Sequence, residues 1–290
     1  MDQLTVSLVF VYGSLRKHEG NHRLLESAQL ISSQCSTEGY LYDTGHGYPA
    51  LVQNHKGRVY GELYQVSPGI LRRLDALEGF YGEGKNNDYE RVVQSIQTDT
   101  GVKEAFVYVY QQSKVIGLEP IQLGDWKFNR VQKQNKDIYY FAYGSCMDDE
   151  RFKSKNKEHF FQHVLGRGRL EGFSLKFTYK AYDGGRADLV ETGGTVEGKA
   201  YLICMEALEY LLEREGVYRN RYRPAFVDIY IGNKMEKDVL TFLVIDKAEE
   251  EIPPPEYYLE EILRGGKTIW SAEYAKRFEV ELLEKGMRKE

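Results

Sequence analysis

The sequence contains no long hydrophobic run, few cysteines and no excess of positive charge, and each deficit excludes a class of protein. No apolar stretch approaches the roughly 18 residues that a membrane-spanning helix requires. The three cysteines, Cys35, Cys146 and Cys204, are far apart and form no C-x-x-C pair, so neither a disulfide framework nor a structural zinc site is expected. The net charge of −5 offers no electrostatic footprint for nucleic acid or an anionic membrane.

The N-terminal segment also lacks a targeting signal. Met1 to Val11 alternates like a strand and has no basic region before an apolar stretch, so we expect no signal peptide. His159 and His163 have the spacing of a helical metal pair, but the sequence supplies no obvious third ligand, and we expect no metal site. We therefore expect a soluble, cytoplasmic protein with reduced thiols and with no membrane or nucleic-acid partner.

A duplicated pattern organises the 290 residues, of which 42% are hydrophobic and 29% charged, the mix of a globular protein. An apolar run ending in Tyr-Gly-Ser occurs at residues 12–14 and again at residues 143–145, an offset of 131. A second segment, residues 57–79, is matched by residues 194–216 at a constant offset of 137. Such a long match at one offset indicates a duplicated domain rather than a short repeat.

We therefore predict two tandem domains of the α+β class. The first covers residues 1–115, a linker covers 116–136, and the second covers 137–290 with a helical tail. Each copy reads as a strand, a Gly-Ser turn, a short helix, several strands, a helix ending at Glu-Gly, and a strand hairpin. This order favours a small mixed-sheet β-barrel with flanking helices in each domain.

The C-terminal tail contains two helical patterns after three consecutive prolines. We expect the first helix to cover residues 256–264 and to end at the Gly265-Gly266 pair. A second helix is expected from Ser271, a candidate N-cap, to Glu284.

The Tyr-Gly-Ser segment is the first candidate site in each copy. A turn between a strand and a helix presents consecutive backbone N–H groups, which hold an anion by hydrogen bonds and the helix dipole. A ligand-free tight turn explains the same three residues, because three-residue matches are common. The candidate substrate-binding residues are Tyr12, Gly13, Ser14 and Leu15 in the first copy and Tyr143, Gly144, Ser145 and Cys146 in the second.

The second candidate is an acidic residue at the end of a helix in each copy. Glu78 and Glu215 each follow an apolar-patterned helix and precede a glycine, where the helix dipole favours a cation or a neutral group. A partly desolvated carboxylate at such a position has a raised pKa and can act as a base. Taken alone, the same feature is explained by a solvated surface glutamate.

Together and in this order, the two elements resemble the γ-glutamylcyclotransferase superfamily. The first copy resembles the γ-glutamylamine cyclotransferase (AIG2-like) branch, through Tyr12 to Arg16, Tyr48-Pro49-Ala50-Leu51, Leu74 to Gly79 and Tyr89-Glu90-Arg91. The second copy resembles γ-glutamylcyclotransferase proper, through Phe141 to Ser145, Gly184 to Asp188, Glu215 to Tyr218, Tyr222 and the tail from Pro253 to Lys267.

The resemblance implies an intramolecular aminolysis that releases 5-oxoproline from a γ-glutamyl amine or peptide. The α-amine of the substrate attacks its own γ-carbonyl, so the enzyme mainly folds the substrate into a reactive conformer. Glu78 and Glu215 are the implied catalytic bases, and Tyr89 and Tyr222 are implied to orient the substrate through their hydroxyls. This chemistry requires no metal and no organic cofactor, and the implied partner is a small γ-glutamyl molecule.

Several alternatives stay open at this point. A catalytically silent module that binds an anionic γ-glutamyl-type metabolite is the main one, although the retained glutamates favour chemistry. If only one half works, the second copy is favoured, because it has the fuller motif set and the tail. Cys146 and the insertion from Gly82 to Asp88 depart from the family pattern. A fused pair can replace a homodimer, so we expect a monomer or a weak homodimer.

Overall fold

The computed structural model describes residues 6–134 and 136–288. The chain forms two compact units, residues 1–133 and 134–290. Three short stretches lie outside the described residues, namely 1–5, 135 and 289–290. The first belongs to the predicted N-terminal run, the second to the predicted linker and the third to the predicted second domain. Within the described ranges, no helix has both the length and the apolar character needed to cross a membrane.

The first unit is built from eight strands and two helices among its described residues. In chain order these are β1 (Ser7–Val11), β2 (Gln29–Glu38), β3 (Tyr40–Asp43), β4 (Pro49–Val52), β5 (Arg58–Val66), α1 (Pro68–Leu77), β6 (Glu90–Thr98), β7 (Gly101–Val109), β8 (Glu119–Pro120) and α2 (Trp126–Gln134). Helix α1 begins where the Ser67 hydroxyl accepts a hydrogen bond from the Ile70 N–H at 3.3 Å, with Pro68 in its first turn.

Five of these strands close into a barrel in the order β1-β5-β2-β6-β7. Strands β1 and β7 close it in parallel, while the other pairs are antiparallel. A separate three-stranded sheet has the order β4-β3-β8. The barrel interior and the cleft beneath α1 hold two clusters of buried apolar side chains. The closed barrel leaves no free edge among these five strands.

A glycine lies at the same place in both barrels because two backbones approach closely there. A Cβ atom on Gly61 would lie 2.3 Å from the Val11 carbonyl oxygen, and one on Gly198 would lie 2.3 Å from the Ala142 carbonyl oxygen. Neither position accepts a larger residue without a backbone shift. Close packing thus explains why a glycine occurs at both of these positions, which are 137 residues apart in the sequence.

The segment expected to be a linker contributes to the first unit as far as residue 133. The Ile121 N–H donates to the Leu41 carbonyl at 2.7 Å, and strand β8 pairs with β3. Trp126, 3% exposed, lies in the core of the barrel. These residues pack there because Ile121 and Trp126 remove apolar area from water, which a solvated linker would leave exposed.

The second unit repeats the first and adds two helices. Its elements are β9 (Ile138–Ala142), α3 (Asp149–Lys153), β10 (Val164–Glu171), β11 (Ser174–Ala181), β12 (Gly184–Val190), β13 (Thr195–Ile203), α4 (Met205–Arg214), β14 (Tyr222–Ile231), β15 (Lys234–Val244), α5 (Glu256–Lys267) and α6 (Ala272–Glu284). A second closed barrel has the order β10-β13-β9-β15-β14, and β11 pairs with β12 in a separate hairpin. Read from β9, this is the strand order of the first barrel. The prediction of two tandem α+β barrels with flanking helices is confirmed.

The tail differs from expectation at one point. Helix α5 continues through Gly265 and Gly266 to Lys267 instead of ending before them. A Cβ atom on Gly265 would lie 2.7 Å from the backbone of Met147, and one on Gly266 would lie 2.4 Å from the Trp270 ring. The glycine pair therefore permits close packing rather than ending the helix. The second helix begins as predicted, with the Ser271 hydroxyl accepting from the Tyr274 N–H.

Candidate functional site

In the first unit the Tyr-Gly-Ser turn follows strand β1 and is held by local hydrogen bonds. The Arg16 N–H donates to the Gly13 carbonyl at 3.0 Å, and the Asn21 side-chain amide donates to the Ser14 hydroxyl at 3.0 Å. Among the described residues, the backbone N–H groups of Ser14 and Leu15 donate to no protein acceptor. The turn therefore presents two unused donors, the arrangement that binds an anion or a polarised carbonyl oxygen.

A buried ion pair network fixes this turn from below. The Arg16 guanidinium, 1% exposed, lies 3.3 Å from a Glu62 carboxylate oxygen and 3.1 Å from an Asp125 carboxylate oxygen. Glu62 also accepts from the Lys17 N–H at 2.7 Å and from the Tyr64 hydroxyl at 2.8 Å. Because these charges are buried, each depends on its partners, and the turn is held in one position.

Two tyrosine hydroxyls are oriented beside the turn. Tyr12 donates to the Tyr108 carbonyl at 2.7 Å, and Tyr89 donates to the Pro49 carbonyl at 3.1 Å. Burial raises the pKa of both phenols, and the nearby charge of Glu78 raises them further. Both hydroxyls thus stay protonated, and each keeps lone pairs that can accept a hydrogen bond from a ligand.

Glu78 lies at the C-terminal end of helix α1 and faces the same space. Its N–H donates to the Leu74 carbonyl at 2.9 Å, and Gly79 turns the chain away with a φ of +61°. The half-buried carboxylate takes part in no hydrogen bond or ion pair with any described residue. Burial therefore raises the pKa of Glu78 to about 7, so the group accepts and releases a proton near neutral pH.

These elements surround one cavity of about 380 Å³. The predicted site residues Tyr12, Gly13, Ser14, Leu15, Glu78 and Tyr89 all line it. Residues that were not among the predicted site residues complete the wall, namely Phe10, Val11, Asn21, Tyr48, Pro49, Leu77, Asp88, Tyr108 and Tyr110. Tyr48, Pro49 and Leu77 belong to segments that carry the family resemblance. Asp88 belongs to the insertion that departs from the family pattern, which was its only sequence signal.

The second unit builds the same framework around its own turn. Tyr143 donates its hydroxyl hydrogen to the Phe242 carbonyl at 2.5 Å, as Tyr12 does to Tyr108. Tyr222 donates to the Ala187 carbonyl at 2.8 Å. A Cβ atom on Gly144 would lie 3.3 Å from the Ala187 side chain. The turn and the strand β12 that faces it are thus placed as in the first unit.

Glu215 ends helix α4 where Glu78 ends α1, but its surroundings are polar. The Cys146 thiol donates to a Glu215 carboxylate oxygen at 3.2 Å, and the Arg214 Nε lies 3.4 Å from the same oxygen. The first unit has the apolar Leu15 and Leu77 at the matching positions. Glu215 is therefore held by two partners, whereas Glu78 has none among the described residues.

The partners of Glu215 are themselves buried. Burial raises the pKa of the Cys146 thiol to about 11, so this cysteine stays protonated and is not a thiolate nucleophile. Burial lowers the pKa of Arg214, but the adjacent Cys146 and Glu215 raise it by more, and the guanidinium stays charged. Arg214 also reaches the turn, with a guanidinium nitrogen 3.4 Å from the Ser145 hydroxyl.

A second cavity of about 400 Å³ lies in front of Glu215. Of the predicted residues, Ser145, Glu215 and Tyr222 line it, whereas Tyr143, Gly144 and Cys146 do not. Its other lining residues, which were not among the predicted site residues, are Arg151, Tyr179, Lys180, Ala181, Tyr182, Arg186, Arg214, Arg221 and Tyr258. Arg186 belongs to a segment that carries the family resemblance, and the sequence also offers Arg221 as a partner for a substrate carboxylate. Tyr258 comes from the tail helix α5, and its hydroxyl accepts from the Ala187 N–H at 3.1 Å.

Comparison with known proteins connects this chain to one family. A family model described as gamma-glutamyl cyclotransferase, AIG2-like, matches residues 9–128. YkqA of Bacillus subtilis (strain 168), which carries gamma-glutamylcyclotransferase as a provisional name, is 43% identical over 274 residues, 93% of this chain and 95% of YkqA. The crystal structure of YkqA matches with a TM-score of 0.86 and 41% identity over 96% of this chain and 98% of that chain. The gamma-L-glutamyl-butirosin B gamma-glutamyl cyclotransferase of Niallia circulans is 37% identical over 125 residues, 43% of this chain and 78% of that protein.

Proposed function

The chain belongs to the gamma-glutamyl cyclotransferase, AIG2-like family and is an enzyme of that type, and we propose that it releases 5-oxoproline from γ-glutamyl amines or peptides. Each unit is proposed to be one cyclotransferase-like domain with its own site. The relative from Niallia circulans is named for a γ-L-glutamyl substrate, which supports a γ-glutamyl compound as the substrate here. The reaction proposed is the intramolecular aminolysis of the γ-amide.

The observation that carries this proposal is the environment of Glu78. An unpaired carboxylate with a pKa of about 7 lies in a cavity beside two unused backbone donors. A general base is most effective when its pKa lies near the working pH, because it is then both ionised and able to pass its proton on. Glu78 meets this condition through burial alone.

The geometry supports a reaction in which Glu78 carries two protons, one after the other, from the α-amino group to the leaving nitrogen. Glu78 removes a proton from the α-ammonium of the substrate, and the freed amine nitrogen attacks the carbonyl carbon of the γ-amide. The N–H groups of Ser14 and Leu15 stabilise the oxyanion that forms. The new ring C–N bond stays, and the bond to the leaving amine breaks as protonated Glu78 gives its proton to the leaving nitrogen. The ring nitrogen then still carries one proton more than 5-oxoproline has, and Glu78 passes that proton to the released amine, which leaves as an ammonium ion. The atoms and the charge balance without water or a cofactor.

Glu215 is proposed to act as the base of the second unit. Its carboxylate is oriented by Arg214 and Cys146 rather than left unpaired. Tyr222 lines the cavity in front of this carboxylate, as Tyr89 does in front of Glu78. The two sites thus share a framework and differ in the groups that surround the base.

We further propose that the enzyme works in the cytoplasm as a monomer or a weak homodimer. Each cavity is lined by residues of one unit, so neither requires a second copy of the chain. The three cysteines are free thiols, which a reducing compartment preserves.

Isotope labelling tests the reaction type directly. A γ-glutamyl amine with ¹⁵N in its α-amino group is incubated with the full chain, and the products are analysed by mass spectrometry. Aminolysis predicts 5-oxoproline with ¹⁵N in its ring and an unlabelled released amine. Labelled glutamate as the first product would instead indicate hydrolysis and would refute the proposed reaction.

The pH profile tests the role of Glu78. In a Glu215→Gln variant, which leaves only the first site, we expect kcat/KM to rise with pH and to level off above an apparent pKa of about 7. Adding Glu78→Gln is expected to lower the rate by about 10²- to 10⁴-fold. A rate that is independent of pH between 5 and 8 would contradict the assignment of this base.

A further inference from the structure

The two cavities differ in the charges that line them. The wall of the first contains two carboxylates, Glu78 and Asp88, and no lysine or arginine. The wall of the second contains one carboxylate, Glu215, and five cationic side chains, namely Arg151, Lys180, Arg186, Arg214 and Arg221. The cavities have similar volumes, and each is lined by the serine of its turn and by the glutamate that follows its helix. Charge is therefore the property that distinguishes the two sites.

Three of the five cations in the second cavity have acidic partners. Arg151 forms an ion pair with Glu261, Arg186 lies 2.6 Å from an Asp183 oxygen, and Arg214 lies 3.4 Å from Glu215. These pairs neutralise most of the charge. Two cations remain beyond them.

Lys180 and Arg221 are the cations left over. Both side chains are exposed, and neither forms an ion pair or side-chain hydrogen bond with any described residue. Arg221 is nevertheless positioned, because its aliphatic part packs on Gly216, where an added Cβ would lie 2.7 Å from the Arg221 Cδ. Its N–H also donates to the Gly216 carbonyl at 3.1 Å. The Arg221 side chain thus leaves a positioned backbone and lines the same cavity as Glu215, and its charge is available to a ligand.

We propose that the two sites divide γ-glutamyl substrates by the charge of the leaving portion, with Lys180 and Arg221 as specificity-determining residues. The second site takes γ-glutamyl amino acids or peptides, whose leaving portion carries a carboxylate. The first site takes γ-glutamyl amines whose leaving portion is neutral or cationic, because Glu78 and Asp88 repel a carboxylate. This inference rests on the proposed function and specifies the substrate class of each site.

The alternative is that Lys180 and Arg221 are ordinary solvated surface charges. Exposed cations contribute little to stability, so the structure gives them no evident role in the fold. A substrate carboxylate can instead form charge-assisted hydrogen bonds with them, and each such bond changes affinity by about tenfold. The two readings therefore predict different substrate preferences rather than different stabilities.

A matched pair of substrates isolates the effect of the carboxylate. γ-Glutamylalanine and its C-terminal amide differ only in that charge, and γ-glutamylethylenediamine adds a cationic leaving portion. In a Glu78→Gln background, which leaves the second site, kcat/KM is expected to be about tenfold or more higher for γ-glutamylalanine than for its amide. In a Glu215→Gln background, the amide and the ethylenediamine substrate are expected to be preferred.

Charge-removing variants then test the two residues themselves. Lys180→Gln and Arg221→Gln are combined in the Glu78→Gln background. We expect this variant to lower kcat/KM for γ-glutamylalanine by about tenfold or more. The value of kcat/KM for the amide is expected to stay within about twofold. Retained turnover of the amide shows that the site is folded. Arg219→Gln is the matched control, since Arg219 is an exposed cation two residues away that does not line this cavity.

The outcomes separate the inference from the proposed function. No 5-oxoproline from any substrate in either background would refute the proposed function itself. Three other results would refute only the division by charge. These are the same charge preference in both backgrounds, no turnover at the second site, and an equal loss of kcat/KM for both substrates in the Lys180 and Arg221 variant. A reversed preference between the two backgrounds, abolished by the double charge removal, supports it.

Discussion

Replacing Glu78 by glutamine is expected to stabilise the first unit, and only at neutral and higher pH. Burial raises the pKa of this carboxyl from 4.5 to about 7 in the folded protein. Between these values the folded state binds a proton that the unfolded state has lost, so the free energy of unfolding falls as pH rises. A difference of about 2.5 pKa units at 1.36 kcal/mol each amounts to about 3 kcal/mol.

The sign follows from the direction of the shift. The stability that protonated Glu78 contributes is fully present below pH 4.5 and is lost as pH rises through about 7. Glutamine does not titrate, so the variant keeps this stability. We expect the variant to exceed the wild type by about 2 to 3 kcal/mol more at pH 8 than at pH 5.

Urea unfolding followed by tryptophan fluorescence measures this difference. The two tryptophans are Trp126 in the first unit and Trp270 in the second, so a Trp270→Phe background makes the signal specific to the first unit. Glu83→Gln removes an exposed acidic residue from the loop that follows Glu78 and serves as the control. If the free energy of unfolding changed with pH in the same way for the wild type and for Glu78→Gln, the Glu78 carboxylate would not be desolvated. That result would refute the reasoning.

Three further predictions follow from packing and burial. Gly61→Ala forces a Cβ atom to within 2.3 Å of a strand β1 carbonyl and is expected to destabilise the first unit by about 1 to 3 kcal/mol in urea unfolding. Asp125→Asn removes one carboxylate from the buried Arg16 and is expected to cost about 3 kcal/mol in the same assay; an unchanged midpoint would contradict either argument. An alkylating reagent at pH 7.5 is expected to modify the half-exposed Cys204 before Cys146, whose pKa is raised to about 11 by burial, and peptide mapping that finds Cys146 labelled first would contradict this.

The duplication could be predicted from the sequence, and so could the turn and the glutamate of each candidate site, because all of them are local patterns. The turn at residues 12–14 and the Glu-Gly segment ending at Gly79 each come from a continuous stretch of chain. Their repetition at nearly constant offsets indicates two copies of one fold. The structure brings Tyr12, Glu78 and Tyr89 to one cavity, while their roles stay a prediction.

The surroundings of the two glutamates could not be predicted in the same way. The contrast between an unpaired Glu78 and a paired Glu215 depends on burial and on side chains that meet only in the folded chain. Cys146, for example, contacts Glu215 from 69 residues away. Tyr258 lines the second cavity although it belongs to the tail, and no local sequence pattern indicates that it lies there. The sequence therefore predicted the two candidate bases but not the groups that surround them.

The same limit applies to the ends of the predicted elements. A glycine pair commonly ends a helix, yet Gly265 and Gly266 lie inside α5 because the backbone at Met147 packs against Gly265 and the Trp270 ring packs against Gly266. Trp126 lies in the first barrel although its neighbours in the sequence are polar. Tertiary packing overrides local preference at both places.

Release of 5-oxoproline by four forms of the full chain tests the central claim most directly. The wild type, Glu78→Gln, Glu215→Gln and the double variant are compared with a panel of γ-glutamyl amines and amino acids. The proposed function predicts release by the wild type, partial activity in at least one single variant, and loss of about 10²-fold or more in the double variant. Release by the double variant at the wild-type rate, or no release by any of the four folded proteins, would contradict it and favour a binding module instead.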